Sequence, residues 1–175
     1  GNGRAYGDLL GAVVRAARGP LRAAADLDGR HAHRGRRHRR SLPLGLLLLR
    51  RTRPPAGVWC QVAGGIEANE TAWQTALREV TEETGLRLAE LWSGDFCEQF
   101  YEADKDRITM LPVFIGVVPP DTEVALNAEH DGYKWLGYEE ADSLLAFPRQ
   151  RKRLAAVTAG FIDRQPHALL RIPIV

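Results

Sequence analysis

Cysteine and long hydrophobic runs are scarce in this chain. Its 175 residues include two cysteines, Cys60 and Cys97, too few for the disulfide framework of small secreted domains. Both lie in apolar segments, so we expect buried, reduced thiols in a cytoplasmic protein. The longest aliphatic run covers residues 46–49, whereas a membrane-spanning helix needs about 20 apolar residues. The sequence therefore predicts neither a disulfide scaffold nor a helical membrane protein, and we expect no membrane partner.

Acidic residues are absent from one stretch, residues 30–40, which reads RHAHRGRRHRR and contains six arginines. The formal net charge of the chain is only +2, so acidic residues predominate elsewhere. The arginines repel one another and show no apolar periodicity, so we expect residues 29–41 to form a loop or a disordered segment. Nucleic-acid binding could rest on this run alone, and we expect no nucleic-acid partner.

The first 41 residues are rich in arginine, alanine and glycine and predict an atypical N-terminal segment. Within it, apolar residues between positions 9 and 14 recur at helical spacing, which predicts a short amphipathic helix. We divide the chain into this segment, residues 1–41, and one globular domain over residues 42–175. A chain of this length has room for a single large core.

Short apolar segments separated by turn residues predict the strands of a mixed sheet. Strands are predicted at residues 42–51, 58–62, 86–91, 94–101, 107–118, 133–137 and 169–172. Helices are predicted at residues 71–84, 139–145 and 149–162. Pro112 lies in the strongest strand, where it cannot donate a backbone hydrogen bond and therefore predicts a bulge or an edge position. Strands and helices in this order predict an α/β sandwich.

A glycine turn and a cluster of carboxylates lie close together between residues 64 and 86, which read GGIEANETAWQTALREVTEETGL. In the helix predicted at residues 71–84, apolar side chains recur at helical spacing, and Gly85 follows where a left-handed cap is expected. This apolar stripe consists of Trp73, Ala76, Leu77 and Val80. We expect the stripe to face the core.

Glu79, Glu82 and Glu83 project from one face of this helix, because residues three and four apart are neighbours on a helix. Their like charges repel, so the cluster predicts a hard divalent cation, and oxygen-only ligands favour Mg²⁺ or Mn²⁺ over zinc. A solvated acidic face is the alternative. Arg78 lies four residues before Glu82 and eight after Glu70, so it can hold a carboxylate on either side.

Gly64 and Gly65 form the turn that precedes the helix. Because they have no side chains, they let the backbone approach a metal ion or a phosphate closely. An ordinary turn that needs glycine for its backbone angles is the alternative interpretation.

The spacing of these residues is G-x5-E-x7-R-E-U-x-E-E-x-G-U, where U is an aliphatic residue. The residues that match it are Gly64, Glu70, Arg78, Glu79, Val80, Glu82, Glu83, Gly85 and Leu86. This pattern resembles the Nudix box, and the resemblance to the Nudix hydrolase family covers roughly residues 44–172. It implies an α/β/α sandwich with a mixed sheet, in which the box helix follows the glycine turn and another helix lies near the C-terminus.

The resemblance also implies a chemistry. Family members hydrolyse a nucleoside diphosphate linked to another group by attack of water on phosphorus, with divalent metal ions that neutralise charge on the phosphate oxygens. By this resemblance, Glu79 and Glu83 are the inner metal ligands, and the Gly64 carbonyl is a further one. Glu82 is a ligand or the base, and Arg78 orients the carboxylates.

A second segment, residues 127–136 (NAEHDGYKWL), is similar to one in Nudix enzymes of the dATP or dihydroneopterin triphosphate pyrophosphohydrolase type and in diadenosine tetraphosphate hydrolases. In those enzymes its glutamate approaches the metal, so Glu129 is a candidate ligand or general base, and an exposed loop acid is the alternative. Tyr133 is a candidate to stack on a nucleobase or to pack in the core, where we expect Trp135. Arg50 and Arg51 are candidates for phosphate contacts or are ordinary surface charges.

One stretch departs from the family. A Nudix domain has an apolar strand shortly before the strand predicted at residues 42–51, and here HRGRRHRR occupies that place. Either an upstream segment such as residues 9–14 supplies the strand, or the sheet lacks it, or the N-terminal sequence differs from the native one.

These features together predict a Mg²⁺-dependent enzyme that converts a (deoxy)nucleoside triphosphate to the monophosphate and pyrophosphate. Two alternatives stay open: a dinucleoside polyphosphate hydrolase, and a non-catalytic module that binds nucleic acid or regulates other proteins. The expected partner is a small nucleotide. The sequence leaves the oligomeric state open, a homodimer included.

Overall fold

The structure is a computed structural model that describes residues 7–16 and 45–174. Its strands are β1 (Gly7–Ala16), β2 (Gly45–Arg51), β3 (Trp59–Cys60), β4 (Val62–Gly65), β5 (Glu90–Glu102), β6 (Arg107–Val118), β7 (His130–Leu136) and β8 (Arg171–Ile172). Its helices are α1 (Ala72–Thr84), α2 (Tyr138–Leu144) and α3 (Pro148–Val157), followed by a π-helical turn (Thr158–Ile162) and a 3₁₀ turn (Ala168–Leu170). The loop predicted over residues 29–41 lies outside the described residues.

Strand β1 lies in the middle of the sheet, so the helix predicted for this segment is wrong. β1 runs parallel to β6 and antiparallel to β2 and β4. Ala12, Val13 and Val14 are each at most 1% exposed, as expected of a strand covered on both faces. A short apolar run looks the same in a buried strand and in a helix, and here pairing with three neighbours determines the outcome. The upstream segment therefore supplies the first strand.

The sheet divides along one edge of β1. β1 pairs with β2 at Arg15 and Ala16, and with β4 over residues 9–12. β2 in turn pairs with β1 over residues 45–46 and with β3 over residues 49–50, while β7 occupies its other edge. Because Gln61 alone separates β3 from β4, it lies where β1 and β2 part.

Two hydrophobic layers cover the two faces of the sheet. Successive residues of β2 belong to opposite layers, because side chains alternate along a strand. Leu47 packs in one layer with Val80 of α1, and Leu48 packs in the other with Leu154 of α3. Helices on both faces of a mixed sheet confirm the predicted α/β/α sandwich.

Helix α1 begins and ends where the sequence predicts. Thr71 and Gln74 form a capping box, in which the Thr71 amide donates to Gln74 Oε1 at 2.8 Å and the Gln74 amide donates to Thr71 Oγ1 at 3.4 Å. Gly85, with φ at 68°, forms the left-handed cap. Ala76 and Val80 of the apolar stripe are fully buried.

Across residues 7–16 and 45–174, no helix combines the length and the apolar character that crossing a membrane requires.

Strand β5 replaces the two strands predicted at residues 86–91 and 94–101. It stays continuous because it pairs with β6 along its length, and a shift of register between Ser93 and Cys97 absorbs the irregularity. Pro112 lies opposite Cys97 at this shift. Pro112 thus lies beside an irregularity of the pairing, but the extra residues belong to β5 rather than to β6. The edge position is wrong because β6 has β1 and β5 on either side.

Cys97 is exposed, contrary to the prediction, and Cys60 is buried. The reason for the exposure is that Cys97 belongs to the outward-facing set of β5, in which Gln99 and Tyr101 are also exposed.

We expect Leu48→Ala to lower the free energy of unfolding by about 3 kcal/mol, because truncation of a fully buried leucine leaves a cavity. Leu48 is 0% exposed in the layer beneath α3. Urea titration measures the change. Leu169→Ala is the matched control, since Leu169 is 87% exposed, and it should alter stability by less than about 0.5 kcal/mol. Equal losses in the two variants would contradict the described core.

Candidate active site

A cavity of about 300 Å³ lies beside the point where β1 and β2 part. Its wall comes from the end of β2 and the following loop, the link between β3 and β4, α1, β5, β6, the loop before β7 and the start of α3. The lining residues are Arg51, Arg53, Cys60, Gln61, Ala63, Glu83, Phe100, Leu111, Glu129, His130, Arg149, Gln150 and Arg153. Arginines outnumber glutamates in this wall, so its charge suits an anionic ligand.

Arg78 joins the glycine turn to the acidic face of α1. Its Nε and Nη2 donate to the Glu70 carboxylate at 2.9 and 3.0 Å. Its Nη1 donates to Glu79 at 2.8 Å and to Glu82 at 3.1 Å. Its Nη2 also donates to the Gly65 carbonyl at 2.8 Å. These contacts confirm that Arg78 holds carboxylates on both sides, and its hydrogen bonds lower the pKa of Glu70 to about 2.

Gly64 lies directly against the Glu79 carboxylate. A Cβ atom at Gly64 would lie 1.8 Å from the carboxyl carbon of Glu79, so any side chain there would displace the acid. Glycine thus brings the backbone of the turn next to the carboxylate. Burial raises the pKa of Glu79, and the hydrogen bond from Arg78 opposes this effect.

Glu83 is the most deeply buried acid of the cluster. It is 4% exposed, and its Oε2 has no hydrogen-bond partner among the described residues. Burial, followed by the negative charges of Glu79 and Glu129, raises the pKa of Glu83 to about 8. The charge of Arg51 and the backbone of Ala63 only partly offset this rise. A buried carboxylate in this position requires a positive partner in order to ionise at neutral pH.

Glu129 faces the acids of α1 from the loop before β7. Its Oε1 accepts a hydrogen bond from Arg53 Nη1 at 2.8 Å. Its charge contributes to the raised pKa values of Glu79 and Glu83, so it lies within electrostatic reach of both. Glu82 has a more exposed side chain, at 55%, and is not part of the cavity wall. The structure therefore brings the predicted acids into one region.

The chemistry of these donors suits a hard divalent cation, because carboxylate and backbone carbonyl oxygens are the ligands that Mg²⁺ takes. Within the part of the chain that the structure describes, no three acidic, histidine or cysteine side chains already converge on one point. Arg78 holds Glu79 and Glu82 by hydrogen bonds. The unpartnered Glu83 Oε2 is the atom that a cation would satisfy, so the residues fit such an ion.

The structure separates the three residues predicted to contact substrate. Arg51 lines the cavity, whereas Arg50 and Tyr133 are not part of its wall. Because side chains alternate along β2, Arg50 points to the other face, where its Nε donates to Asp131 at 2.7 Å. Tyr133 is 42% exposed. Substrate contact by Arg50 and Tyr133 stays a prediction, and Trp135 packs against the core as expected.

The start of α3 contributes cavity residues whose roles the sequence did not predict. Gln150 and Arg153 are 8% and 3% exposed, and they line the cavity with Arg149. Arg153 Nε and Nη2 donate to the Glu98 carboxylate at 2.9 and 2.5 Å. Spacings of three and four residues place these side chains on one face of a helix. This spacing is the one feature of the sequence that could have indicated a shared site. It does not distinguish such a site from a helix face whose charged side chains are solvated.

Comparison with known proteins gives matches of three kinds. The family model described as NUDIX domain matches residues 35–159. The chain is 37% identical over 116 residues to an octanoyltransferase of Myxococcus xanthus. This aligned region covers 65% of this chain and 32% of that protein. It is 35% identical over 98 residues to the asymmetrical bis(5'-nucleosyl)-tetraphosphatase of Rattus norvegicus. That aligned region covers 55% of this chain and 67% of that protein.

Among solved structures, the dihydroneopterin triphosphate pyrophosphohydrolase of E. coli superposes with a TM-score of 0.59 at 22% identity, over 83% of this chain and 90% of that one. This likeness concerns the fold alone. The chain spans about a third of the length of the octanoyltransferase that it matches.

We expect the stability of the metal-free protein to follow the titration of Glu83. Its pKa of about 8 lies above the ~4.3 of an unfolded glutamate, so between these values the folded state binds more protons. The free energy of unfolding therefore falls as pH rises from about 4.5 to about 8, by roughly 1.4 kcal/mol per pH unit from this group. Above pH 8 the contribution levels off.

Glu83→Gln removes this contribution, so the variant should gain stability relative to the wild type as pH rises through this window. Urea titrations of both proteins between about pH 5 and pH 9, in EDTA, measure the difference. A difference that does not change with pH would show that Glu83 titrates as an ordinary exposed acid.

Proposed function

Because the chain belongs to the NUDIX domain family, we propose that it is a Mg²⁺-dependent hydrolase that converts a (deoxy)nucleoside triphosphate to the monophosphate and pyrophosphate. Family membership supports a hydrolase of pyrophosphate bonds in nucleotides. The observation that carries the proposal is the buried Glu83 carboxylate, with an unpartnered oxygen, in the wall of a cavity that also contains arginines.

Under this proposal the acids divide between holding the cation and moving a proton. Glu79, Glu83 and the Gly64 carbonyl would hold Mg²⁺, or Mn²⁺ in its place, with Glu82 as a further ligand. When bound, the ion supplies positive charge to the phosphate oxygens as the bond to phosphorus breaks. Glu129 is the proposed general base, because it faces the cluster from a separate loop and can take a proton from the attacking water.

The cations of the site have separate tasks in this proposal. Arg78 is a positioning residue, since it binds Glu70, Glu79 and Glu82 rather than the cavity. Arg51 lines the cavity and is the proposed phosphate contact. Arg53 orients Glu129 through their ion pair at 2.8 Å. Direct attack of water on phosphorus requires no covalent intermediate on the enzyme.

A dinucleoside polyphosphate hydrolase is the second candidate. The relative from Rattus norvegicus is named a bis(5'-nucleosyl)-tetraphosphatase and shares 35% of residues over the matched region. The chemistry at phosphorus would be the same, and only the group beyond the phosphates would differ. A non-catalytic module is less well supported, because a module that only binds has no need for the complete set of acids.

We expect Glu83→Gln to lower kcat at least about a hundredfold while the protein stays folded, since the amide keeps the shape and removes the charge that holds the cation. Release of pyrophosphate and phosphate from a panel of deoxynucleoside triphosphates with Mg²⁺ measures turnover, and circular dichroism measures folding. Glu123→Gln is the matched control, because Glu123 is exposed in the loop after β6 and is not part of the cavity wall. Undiminished turnover in Glu83→Gln would refute the site.

The same assay identifies the substrate class when diadenosine polyphosphates, nucleotide sugars and dihydroneopterin triphosphate are added to the panel. We expect a monophosphate and pyrophosphate from a nucleoside triphosphate as the fastest reaction. A higher kcat/KM for a diadenosine polyphosphate, with a nucleoside triphosphate among its products, would favour the second candidate instead.

A further inference from the structure

One part of the cavity wall, formed by α3 and the link between β3 and β4, contains an amide oxygen without a partner. Gln150 lies near the start of α3 and is 8% exposed. Its side chain lines the cavity, and its Oε1 is buried with no hydrogen-bond partner among the described residues. A buried acceptor left unpaired costs stability, and buried polar groups in native proteins are rarely left so. A ligand that donates a hydrogen bond would satisfy it.

The polar groups around the Gln150 side chain hydrogen-bond to one another. Gln61 is 2% exposed, its Nε2 donates to the Gln150 backbone carbonyl at 3.5 Å, and its Oε1 accepts from Arg153 Nη1 at 3.2 Å. Arg153 Nε and Nη2 donate to the Glu98 carboxylate. This network fixes which way the Gln61 amide points. None of the hydrogen bonds in this network involves Gln150 Oε1, so a group that enters the cavity can pair with it.

The same part of the wall contains apolar and aromatic side chains. Phe100 and Leu111 supply apolar surface, and the Arg149 guanidinium lies 4.1 Å from the centroid of the Phe100 ring. Aromatic rings and guanidinium planes stack favourably on flat heterocycles. The volume of about 300 Å³ is at the small end of ligand pockets. It has room for one nucleobase with its neighbouring groups rather than for two nucleosides.

We propose that Gln150 is a specificity-determining residue that selects a nucleobase with an exocyclic amino group, such as adenine or cytosine. The amino group donates to Gln150 Oε1 while the base lies against Phe100 and Leu111. In the orientation that the structure gives the Gln150 amide, a base that carries a carbonyl at the same position would place two acceptor oxygens face to face and is disfavoured. This inference rests on the proposed function, since it names the substrate class of the same site.

Binding of three purine nucleotides in EDTA, where no hydrolysis occurs, tests the proposal by calorimetry. ATP carries the 6-amino group, purine riboside triphosphate has hydrogen in its place, and inosine triphosphate has a carbonyl. We expect the wild type to bind ATP about tenfold more tightly than purine riboside triphosphate, the usual scale for one buried hydrogen bond. Inosine triphosphate should bind more weakly still.

Gln150→Met keeps the length of the side chain and removes the acceptor, so its preference for ATP should fall to within about twofold. Gln165→Met makes the same chemical change at an exposed position outside the cavity wall and should retain the full preference. Equal binding of ATP and purine riboside triphosphate by the wild type, or a full preference in Gln150→Met, would overturn the proposal. So would a preference for inosine triphosphate, or no measurable binding of ATP.

The measurement does not depend on turnover, which keeps the two proposals distinguishable. A preference for ATP that Gln150→Met abolishes would support this inference even if Glu83→Gln retained activity and the hydrolytic site were refuted. Hydrolysis of nucleoside triphosphates with no preference among the three purines would leave the proposed function standing and overturn the role of Gln150 alone.

Discussion

The hydrogen bonds of Arg78 hold the candidate site together. One guanidinium binds the Glu70 carboxylate, the Gly65 carbonyl and two acids of α1, so it fixes the glycine turn to the helix. Its side chain is 22% exposed, and partly buried ion pairs with several hydrogen bonds are stronger than surface pairs. Without this cation, Glu79 and Glu82 would repel each other on one helix face. The acidic face of α1 thus depends on a residue that lies outside the cavity.

The cavity combines two environments. Near α1, burial and neighbouring negative charges raise the pKa of Glu83 and so oppose its ionisation. A bound cation would favour the ionised form. Near α3, the buried pair of Arg153 and Glu98 is neutral overall and serves to orient the Gln61 amide. A buried ion pair of this kind adds little to the free energy of unfolding, because removing both charges from water offsets their attraction. Its effect here is geometric, because it fixes neighbouring hydrogen-bonding groups.

Most of the fold and the acidic face of the site could be predicted from the sequence because both follow from local spacing. The capping residues and the apolar stripe of α1 are encoded within a few turns of the helix, and so is the reach of Arg78 to Glu70. The part of the cavity wall formed by α3 and the link between β3 and β4 could not be predicted, because Gln61 and Gln150 are brought together by the division of the sheet. The prediction of a helix in place of β1 was wrong for a related reason. A short apolar run becomes a strand or a helix according to its distant neighbours.

The central strand of the sheet is also the first part of the chain that the structure describes. Gly7 in β1 pairs with Thr109 in β6, so closing this pair requires a long loop whose entropy is lost before the contact is gained. We therefore expect the middle of the sheet to be completed late in folding. Until β1 is in place, the facing edges of β4 and β6 present unpaired backbone groups. Such edges are the surfaces through which partly folded sheets aggregate.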